Sequence, residues 1–361
     1  KIADEIASKI GIDKYSPERI MQGIIYTLNQ SLASGHTYLP KQILIEQSVK
    51  ILGVEPKFVE NGIMDLAYNQ KVHLENKDGQ ILVYLMMYYI CENGVCKEII
   101  KLSQHDIKDL HINIDEEIKI VEKEDNISLA KNQIEAVKEA INNGVTIITG
   151  GPGTGKTTTI NTIIKIFENN DQKVVLCAPT GRAAKRMSET SNKEAKTIHR
   201  LLEMGFGSDS EELVFFKDEE DPIDADVIIL DEASMVDIIL MYNLLKAVKL
   251  GTRVLLVGDS DQLPSVGAGN VLKDIIDSKV IKTVMLNEIF RQARESMIVV
   301  NAHKINNGEP LFLNVKNKDF FFLRKNTNEE ILNEIVGLVS ERLPNFYKFD
   351  KLKDIQVLTS M

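Results

Sequence analysis

Apolar positions near the start of the chain recur at helical spacing. Ser16 and Pro17 have the residue types that begin helices, a capping hydroxyl followed by a proline in the first turn. The apolar residues after this start are three, four or one apart, at Ile20, Ile24, Ile25 and Leu28. The pattern predicts a helix to about Ser34, ended by Gly35.

The next stretch changes from helical to alternating spacing. Helical patterns at 41–52 and 56–69 precede two short β patterns, 71–75 and 81–85, around a turn at 76–79. Two short helices and a hairpin predict a winged-helix-like module. Its second helix contains no arginine for base edges, so we favour a structural or partner-contacting role over the alternative, the reading of a DNA groove.

Short, fully apolar runs dominate the second half of the chain. They lie at 147–148, 174–178, 227–230 and 254–257, and helical patterns such as 158–167 separate them. Buried strands that alternate with helices predict an α/β fold with a mostly parallel sheet and helices on both faces. Patterning separates a helical 1–35, a winged-helix-like 36–105 and a charged linker 106–125 from the α/β part that follows.

Composition restricts the classes of protein to consider. A length of 361 residues suggests two or three domains, and neither a membrane span nor a signal peptide is evident, so we expect a cytoplasmic protein without membrane partners. The three cysteines include Cys91 and Cys96, near His105, but a fourth metal ligand is missing, which favours reduced thiols.

Charge is distributed unevenly. The net charge of −10 argues against a generally basic nucleic-acid coat protein, although the segment 173–200 is locally basic. Its cationic residues are Lys173, Arg182, Lys185, Arg186, Lys193, Lys196 and Arg200. Such a track suits a phosphate backbone, and a solvated helix face is the competing interpretation. The segment 209–226 has nine acidic residues against Lys217, a composition that suits a flexible loop.

A glycine-rich segment follows the first apolar run. Between Gly150 and Thr157 it has the spacing of a phosphate-binding loop that joins a strand to a helix. The residues expected to cradle a triphosphate are Gly151, Pro152, Gly153, Thr154, Gly155, Lys156, Thr157 and Thr158. Lys156 is expected to reach the β and γ phosphates of ATP, and the Thr157 hydroxyl to hold Mg²⁺. A chance glycine-rich turn is the alternative.

Two later strands end in polar residues that suit hydrolysis. Asp231 is expected to hold Mg²⁺ through water, and Glu232 to orient and deprotonate the attacking water. Paired acids can also merely cap the next helix. Gln262 follows the fourth strand and is a candidate sensor of the γ-phosphate.

The second strand runs into a turn and a basic helix. In this layout, hydroxyls and helix N-terminal N–H groups can hold the phosphates of single-stranded DNA. The candidate DNA-binding residues are Pro179, Thr180, Arg182, Thr197 and His199.

Six ordered segments together resemble helicase motifs of the RecD/TraA-type branch of superfamily 1, related to the exodeoxyribonuclease V alpha subunit. They are GPGTGKT at 151–157, APTGRAA at 178–184, TIHRLL at 197–202, DEASMVD at 231–237, GDSDQLPSVG at 258–267 and FRQ at 290–292. The resemblance implies a P-loop NTPase of RecA-like fold at 126–313. It also implies that Gln133 contacts adenine and that Arg291 stabilises transition-state charge.

The resemblance further implies a 5'-to-3' DNA helicase of repair or recombination, acting on single strands and single-strand/duplex junctions. It implies that 1–35 is a remnant of helix-hairpin-helix elements, that a strand-separating hairpin is inserted near 203–226, with a flexible loop as the alternative, and that 314–361 starts a second motor domain. This chain is then expected to bind ATP and not to unwind by itself. A nucleotide-binding regulatory subunit of an exodeoxyribonuclease complex is the alternative, and a nuclease is disfavoured because the sequence lacks an independent carboxylate cluster.

Overall fold

The computed structural model describes residues 6, 9, 11–206, 213–288, 290, 295–316 and 318–359. The chain forms two compact units, Lys1–Phe290 and Arg291–Met361. The second unit contains α12 (Met297–Asn306), α13 (Asn328–Gly337), a π-helical turn Leu338–Arg342 and α14 (Leu343–Tyr347).

The first unit begins with the predicted helices and hairpin. It contains α1 (Pro17–Ala33), β1 (Tyr38–Pro40), α2 (Lys41–Leu52), α3 (Pro56–Tyr68), β2 (Val72–Lys77), β3 (Gln80–Leu85) and α4 (Met86–Gln104). The three strands form an antiparallel sheet in the order β1-β3-β2. Ser16 caps α1, since its Oγ accepts a hydrogen bond from the Arg19 N–H at 3.2 Å. The helices and the hairpin are confirmed, and β1 is an additional strand.

The prediction of a linker at 106–125 is wrong for the second half of that segment, which forms helix α5 (Ile114–Asp125). Asn113 caps this helix, and both Ile118 and Val121 are buried in the core of the first unit. Charged residues on the other faces of α5 conceal a narrow apolar stripe in the sequence. The spacing of 114, 118 and 121 is nevertheless helical, so the sequence does contain the signal.

A six-stranded parallel sheet forms the centre of the first unit, as expected for the α/β class. Its strands stand in the order β11-β4-β10-β9-β5-β6. They are β4 (Val145–Gly150), β5 (Val174–Ala178), β6 (Ala195–Thr197), β9 (Val227–Leu230), β10 (Arg253–Gly258) and β11 (Lys282–Leu286). The helices between them are α6 (Lys131–Asn142), α7 (Lys156–Asn169), α8 (Gly181–Ser191), α9 (Ile198–Leu201), α10 (Ile238–Lys246) and α11 (Val271–Ser278).

Successive residues of each central strand point to opposite faces of the sheet. Ile147 packs with apolar residues of α4, α10 and α11, whereas Ile148 packs with those of α5, α6 and α7. The long helix α4 therefore belongs to the core of the α/β domain although it follows the N-terminal hairpin. Because all six strands are parallel, their carboxyl ends meet at one edge, and the polar residues after β4, β5, β9 and β10 are brought together there.

The buried side chain of Arg253 connects the first half of the predicted linker to this core. Its guanidinium donates hydrogen bonds to the carbonyl oxygens of Ile141 at 3.0 Å and Lys108 at 2.7 Å. The guanidinium also lies over the Phe167 ring. Segment 106–113 is thus attached to the sheet domain through the Lys108 carbonyl, a contact that its own sequence does not reveal.

Candidate nucleotide site and strand-end surface

The glycine-rich loop joins β4 to α7 as predicted. Gly153 and Gly155 have φ values of +74° and +81°, a left-handed conformation that favours glycine. The buried Thr154 donates a hydrogen bond from Oγ1 to the Gly151 carbonyl at 2.8 Å. The first N–H groups of α7 have no carbonyl partner one turn earlier in the helix, so this end of α7 is suited to an anion.

Lys156 lies at the centre of the candidate site. Its Nζ donates hydrogen bonds to the carbonyl oxygens of Gly150 and Gly151, the latter at 3.1 Å. Burial lowers the pKa of Lys156, and the carboxylates of Asp259, Glu232 and Asp231 oppose that effect. The Lys156 amine is therefore partly removed from water, and the charges of three acids at the carboxyl edge of the sheet favour its ammonium form.

The two acids after β9 are held by the backbone. The Asp231 N–H donates to the Cys177 carbonyl of β5 at 3.0 Å, and Asp231 Oδ1 accepts from the Glu232 N–H at 2.9 Å. Burial raises the pKa of both carboxyls, and the Asp231 charge raises that of Glu232 further. A carboxylate with a raised pKa is a better proton acceptor near neutral pH, which suits the role expected of Glu232.

Asp259 is a site residue that the sequence reasoning missed. It is 3% exposed, its Oδ1 accepts from the Asp261 N–H at 3.1 Å, and its carbonyl accepts from the Gln262 N–H at 3.2 Å. Of the three acids that raise the pKa of Lys156, Asp259 has the largest effect. The sequence signal was available, because Asp259 follows the end of β10 as Asp231 follows the end of β9.

Gln262 and Ser234 occupy two different environments at this edge. The Gln262 side chain is exposed. Ser234 is 8% exposed, and its hydroxyl has no hydrogen-bond partner among the described residues. A buried hydroxyl without a partner is uncommon, so Ser234 is a second residue of interest that the motif alone did not single out.

Gln133 contacts the phosphate loop through both ends of its amide. Its Oε1 accepts from the Ala130 N–H at 2.9 Å and its Nε2 donates to the Gly155 carbonyl at 3.1 Å, within a side chain that is 2% exposed. In this structure it fixes the start of α6 to the loop. The Phe290 N–H donates to the Gly153 carbonyl at 3.3 Å. The next residue, Arg291, lies outside the described residues.

The predicted DNA-binding residues meet at the ends of two neighbouring strands. Ala178, which precedes Pro179 and Thr180, is the register partner of Thr197. The Oγ1 atoms of Thr180 and Thr197 cap α8 and α9 by accepting backbone N–H bonds at 3.2 Å, and each hydroxyl keeps its own hydrogen for another acceptor.

A contact between two rings also lies beside these strand ends. The ring of His199 lies 6.0 Å from the ring of Phe215. Phe215 belongs to β8 (Leu213–Phe215), which pairs with β7 (Met204–Phe206) in a short antiparallel hairpin. The strand ends and the hairpin thus lie side by side.

The predicted basic track divides into two groups in the structure. Lys173 donates to Asp224 at 2.5 Å and Lys193 pairs with Glu168. Arg182, Lys185, Arg186 and Arg200 are exposed on α8 and α9, next to the strand ends. The cationic surface is therefore smaller than the local charge count suggested, and it is concentrated beside Thr180 and Thr197.

The acidic segment also divides. Residues 209–212 lie outside the described part of the chain, and the later acids follow the hairpin. Lys217 donates to Asp221 at 2.8 Å, and the Lys173 N–H donates to Asp226 at 2.8 Å. The first contact lies within the segment, and the second attaches its end to the sheet domain.

The cysteines do not form a metal site in the described part of the chain, where no group of three or more His, Cys, Asp or Glu side chains is placed to hold a metal ion. Burial raises the pKa of the Cys91 thiol to about 11 and that of Cys177 to about 12, so both are protonated at neutral pH. None of the described helices has the length and apolar content that a bilayer span requires.

Two family models match the sequence. Residues 133–268 match the model described as an AAA domain, which covers the phosphate loop and the acids after β9 and β10. Residues 1–38 match the model described as the HHH domain of the ATP-dependent RecD2 DNA helicase. The expected helix-hairpin-helix relationship of the N-terminus agrees with this second match.

Curated relatives and a solved structure are similar to parts of the chain. The ATP-dependent RecD2 DNA helicase of Deinococcus radiodurans is 40% identical over 181 residues, 50% of this chain and 24% of that protein. The RecBCD enzyme subunit RecD of Buchnera aphidicola subsp. Schizaphis graminum is 30% identical over 282 residues, 67% of this chain and 45% of that protein. The match to Pif1 helicase from Candida albicans covers 51% of this chain and 45% of that one, with 24% identity and a TM-score of 0.37. The chain thus spans less than half the length of these curated relatives.

Proposed function

We propose that this chain, which belongs to the RecD-type branch of the superfamily 1 helicases, is the ATP-binding part of an ATP-dependent DNA helicase. The observation that carries the proposal is the group of Lys156 with Asp231, Glu232 and Asp259 beside a glycine loop. The strand ends that suit a nucleic-acid backbone lie on the same edge of the sheet.

The donor set fits a magnesium-bound triphosphate. The exposed Thr157 hydroxyl and the Asp231 carboxylate offer oxygen ligands of the kind that Mg²⁺ prefers. When bound, Mg²⁺ neutralises phosphate charge during phosphoryl transfer. Lys156 binds the terminal phosphates, and the N-terminal end of α7 adds its partial positive charge.

The remaining residues of the site act on the attacking water and on the hydrolysis signal. Glu232 orients the water and accepts its proton, which its raised pKa favours. Gln262 lies on the same segment as Asp259 and reports the loss of the γ-phosphate. Arg291 supplies a cation to the transition state in this proposal, on the basis of the family resemblance.

Single-stranded DNA is the proposed polymer substrate, bound where β5 and β6 end. Thr180 and Thr197 have hydroxyl hydrogens to donate to phosphates, and Arg182 on α8 provides the charge, while Pro179 and His199 complete the surface. Asp231 does not contact DNA in this scheme. Its N–H donates a hydrogen bond to the Cys177 carbonyl and so connects β9 to β5, which means that the nucleotide site and the DNA-binding residues lie on one sheet. The N-terminal region is proposed to contact a partner protein, and the cytoplasm is the expected location.

The proposal is tested by DNA-stimulated ATPase and unwinding of the full-length protein, on duplexes with a single strand of either polarity. Strong stimulation with unwinding only from a 5' overhang is expected. Glu232→Gln should abolish hydrolysis and retain ATP binding, because the substitution removes the base and leaves the loop intact. Glu60→Gln on α3 is the matched control, because Glu60 is exposed and lies in the N-terminal module.

ATP binding without any stimulation by DNA would overturn the helicase proposal and favour a nucleotide-binding regulatory subunit. Cleavage of DNA in the presence of Mg²⁺ would point to a nuclease.

A further inference from the structure

A large cleft lies within the first unit, away from the nucleotide site. Its volume is about 1210 Å³. One part of its lining comes from the N-terminal region, through the end of α1, strand β1 and helix α4, and another part comes from α11 and the residues around it. We call it the α4–α11 cleft.

Aliphatic side chains form one part of the lining of the α4–α11 cleft. Leu39, Val95, Ile99, Ile275 and Ile281 line it and are themselves buried in the walls. Ile43 and Val280 also line it and are 42% and 60% exposed. Exposed aliphatic side chains beside a cavity of this size mark a surface that gains free energy when a partner covers it.

Carboxylates from two different elements line the same cleft. Glu92 is on α4 and Asp274 is on α11. Burial raises the pKa of Glu92, and the charge of Asp274 raises it further. Neither carboxylate has an ion pair within 4 Å among the described side chains. The two acids therefore repel each other across a partly dehydrated space.

The other charged groups near these carboxylates leave a negative balance. Glu75 and Lys77 act on Glu92, whereas Asp277 and Lys273 act on Asp274. Of these four groups only Lys77 lines the cleft together with the two carboxylates, so the lining keeps a surplus of one negative charge and favours a cation over a nucleic-acid backbone.

A short segment of chain connects the cleft to the nucleotide site. This segment starts at Asp259 and ends at Gly269 and Asn270, which line the cleft. Ser265 Oγ donates to the carbonyls of Gly267 and Gly269 at 2.9 Å, and the Gly269 N–H donates to the Gly35 carbonyl at 3.1 Å. An occupant of the cleft thus contacts a segment whose other end contains Asp259 and Gln262.

We propose that the α4–α11 cleft binds a peptide segment of a partner protein in which Lys or Arg lies among aliphatic or aromatic side chains. The aliphatic lining takes the apolar side chains, and Glu92 with Asp274 takes the cation. The volume exceeds the range of about 300–1,000 Å³ that is usual for small-molecule pockets. The inference rests on the partner-contacting role proposed for the N-terminal region and specifies its site and chemistry.

The test selects binders from a phage-displayed library of random twelve-residue peptides on the immobilised full-length protein, without ATP. Enriched peptides are labelled with fluorescein and titrated by anisotropy. We expect them to combine basic with apolar residues. We also expect their Kd to rise at least tenfold in the double variant Glu92→Gln, Asp274→Asn. Glu60→Gln is the control and should leave the Kd unchanged.

Enrichment of acidic peptides, equal binding to the double variant, or failure to enrich any peptide would overturn the inference. If a single-stranded oligonucleotide displaces the peptide and the double variant binds it as well as the unmodified protein, the peptide binds at the strand ends around Thr180 and Thr197 instead, and the inference is overturned. Because the assay contains no ATP, its failure is distinct from failure of the helicase proposal. Circular dichroism of each variant establishes that it is folded.

Discussion

Individual residues at the carboxyl edge of the sheet determine what the site can do. Lys156 is chemically useful because burial and three nearby acids act on it in opposite directions. Ser234 and Asp259 are buried at the same edge, and the packing of neighbouring strands brings both into the site.

Asp259→Asn should change the pH dependence of nucleotide binding. Burial lowers the pKa of Lys156 and the Asp259 charge opposes this effect, so its removal should lower the pKa further. Because the ammonium form binds phosphate, loss of affinity should begin at a lower pH in the variant. Affinity for a fluorescent ATP analogue, measured from about pH 7 to about pH 10, covers the relevant range for a lysine.

The control for this prediction is Asp261→Asn, which removes the same charge two residues later, on an exposed side chain. Water screens the exposed Asp261 charge far more than that of Asp259, which is 3% exposed, so the pH profile of Asp261→Asn should stay close to that of the unmodified protein. A shift of the Asp259→Asn profile to higher pH would contradict the electrostatic account.

Among the elements, α5 shows how a helix with a charged composition is still fixed by tertiary packing. Ile118 is 3% exposed whereas Ile120, two residues later on the same helix, is 46% exposed. Alanine substitutions at these two positions separate the contribution of core packing from that of helix propensity, because each replaces isoleucine by the better helix former alanine.

Ile118→Ala should reduce the free energy of unfolding by about 2–5 kcal/mol, the usual cost of removing a large aliphatic side chain from a core. Ile120→Ala should change it by less than about 0.5 kcal/mol, as is typical of surface positions. Urea unfolding followed by circular dichroism measures both. Equal effects would mean that α5 does not pack on the sheet as described.

At the scale of the first unit, α4 joins the N-terminal region to the α/β domain. Its apolar residues share one core with the central strands. The backbone at Gly144, just before β4, also lies very close to the end of α4. A Cβ at Gly144 would overlap the Leu102 carbonyl oxygen of that helix. The two regions are therefore expected to unfold together.

Gly144→Ala should reduce the free energy of unfolding by about 1–3 kcal/mol, since the added methyl group has no space. Gly181→Ala is the matched control, because a Cβ there meets nothing within 4 Å. The urea midpoint measures the difference. An unchanged midpoint for Gly144→Ala would show that α4 moves freely relative to β4.

The sequence by itself determined the phosphate loop, the helices and hairpin of the N-terminal region and the four apolar strands that end at the site. Glycines at 153 and 155, the short apolar runs and the capped helices are local signals, because backbone conformation and periodic burial depend on neighbouring residues. The paired acids Asp231 and Glu232 were also predicted, since parallel strands place their ends together.

Only the tertiary structure decided which charges and apolar faces meet. Lys173, Lys193 and Arg253 each contact residues that are distant in the chain. The burial of Asp259 likewise depends on neighbours from other strands. The α4–α11 cleft likewise needs walls from opposite ends of the first unit. Electrostatic environment and cavity shape depend on spatial neighbours, and the order of strands in the sheet selects those neighbours.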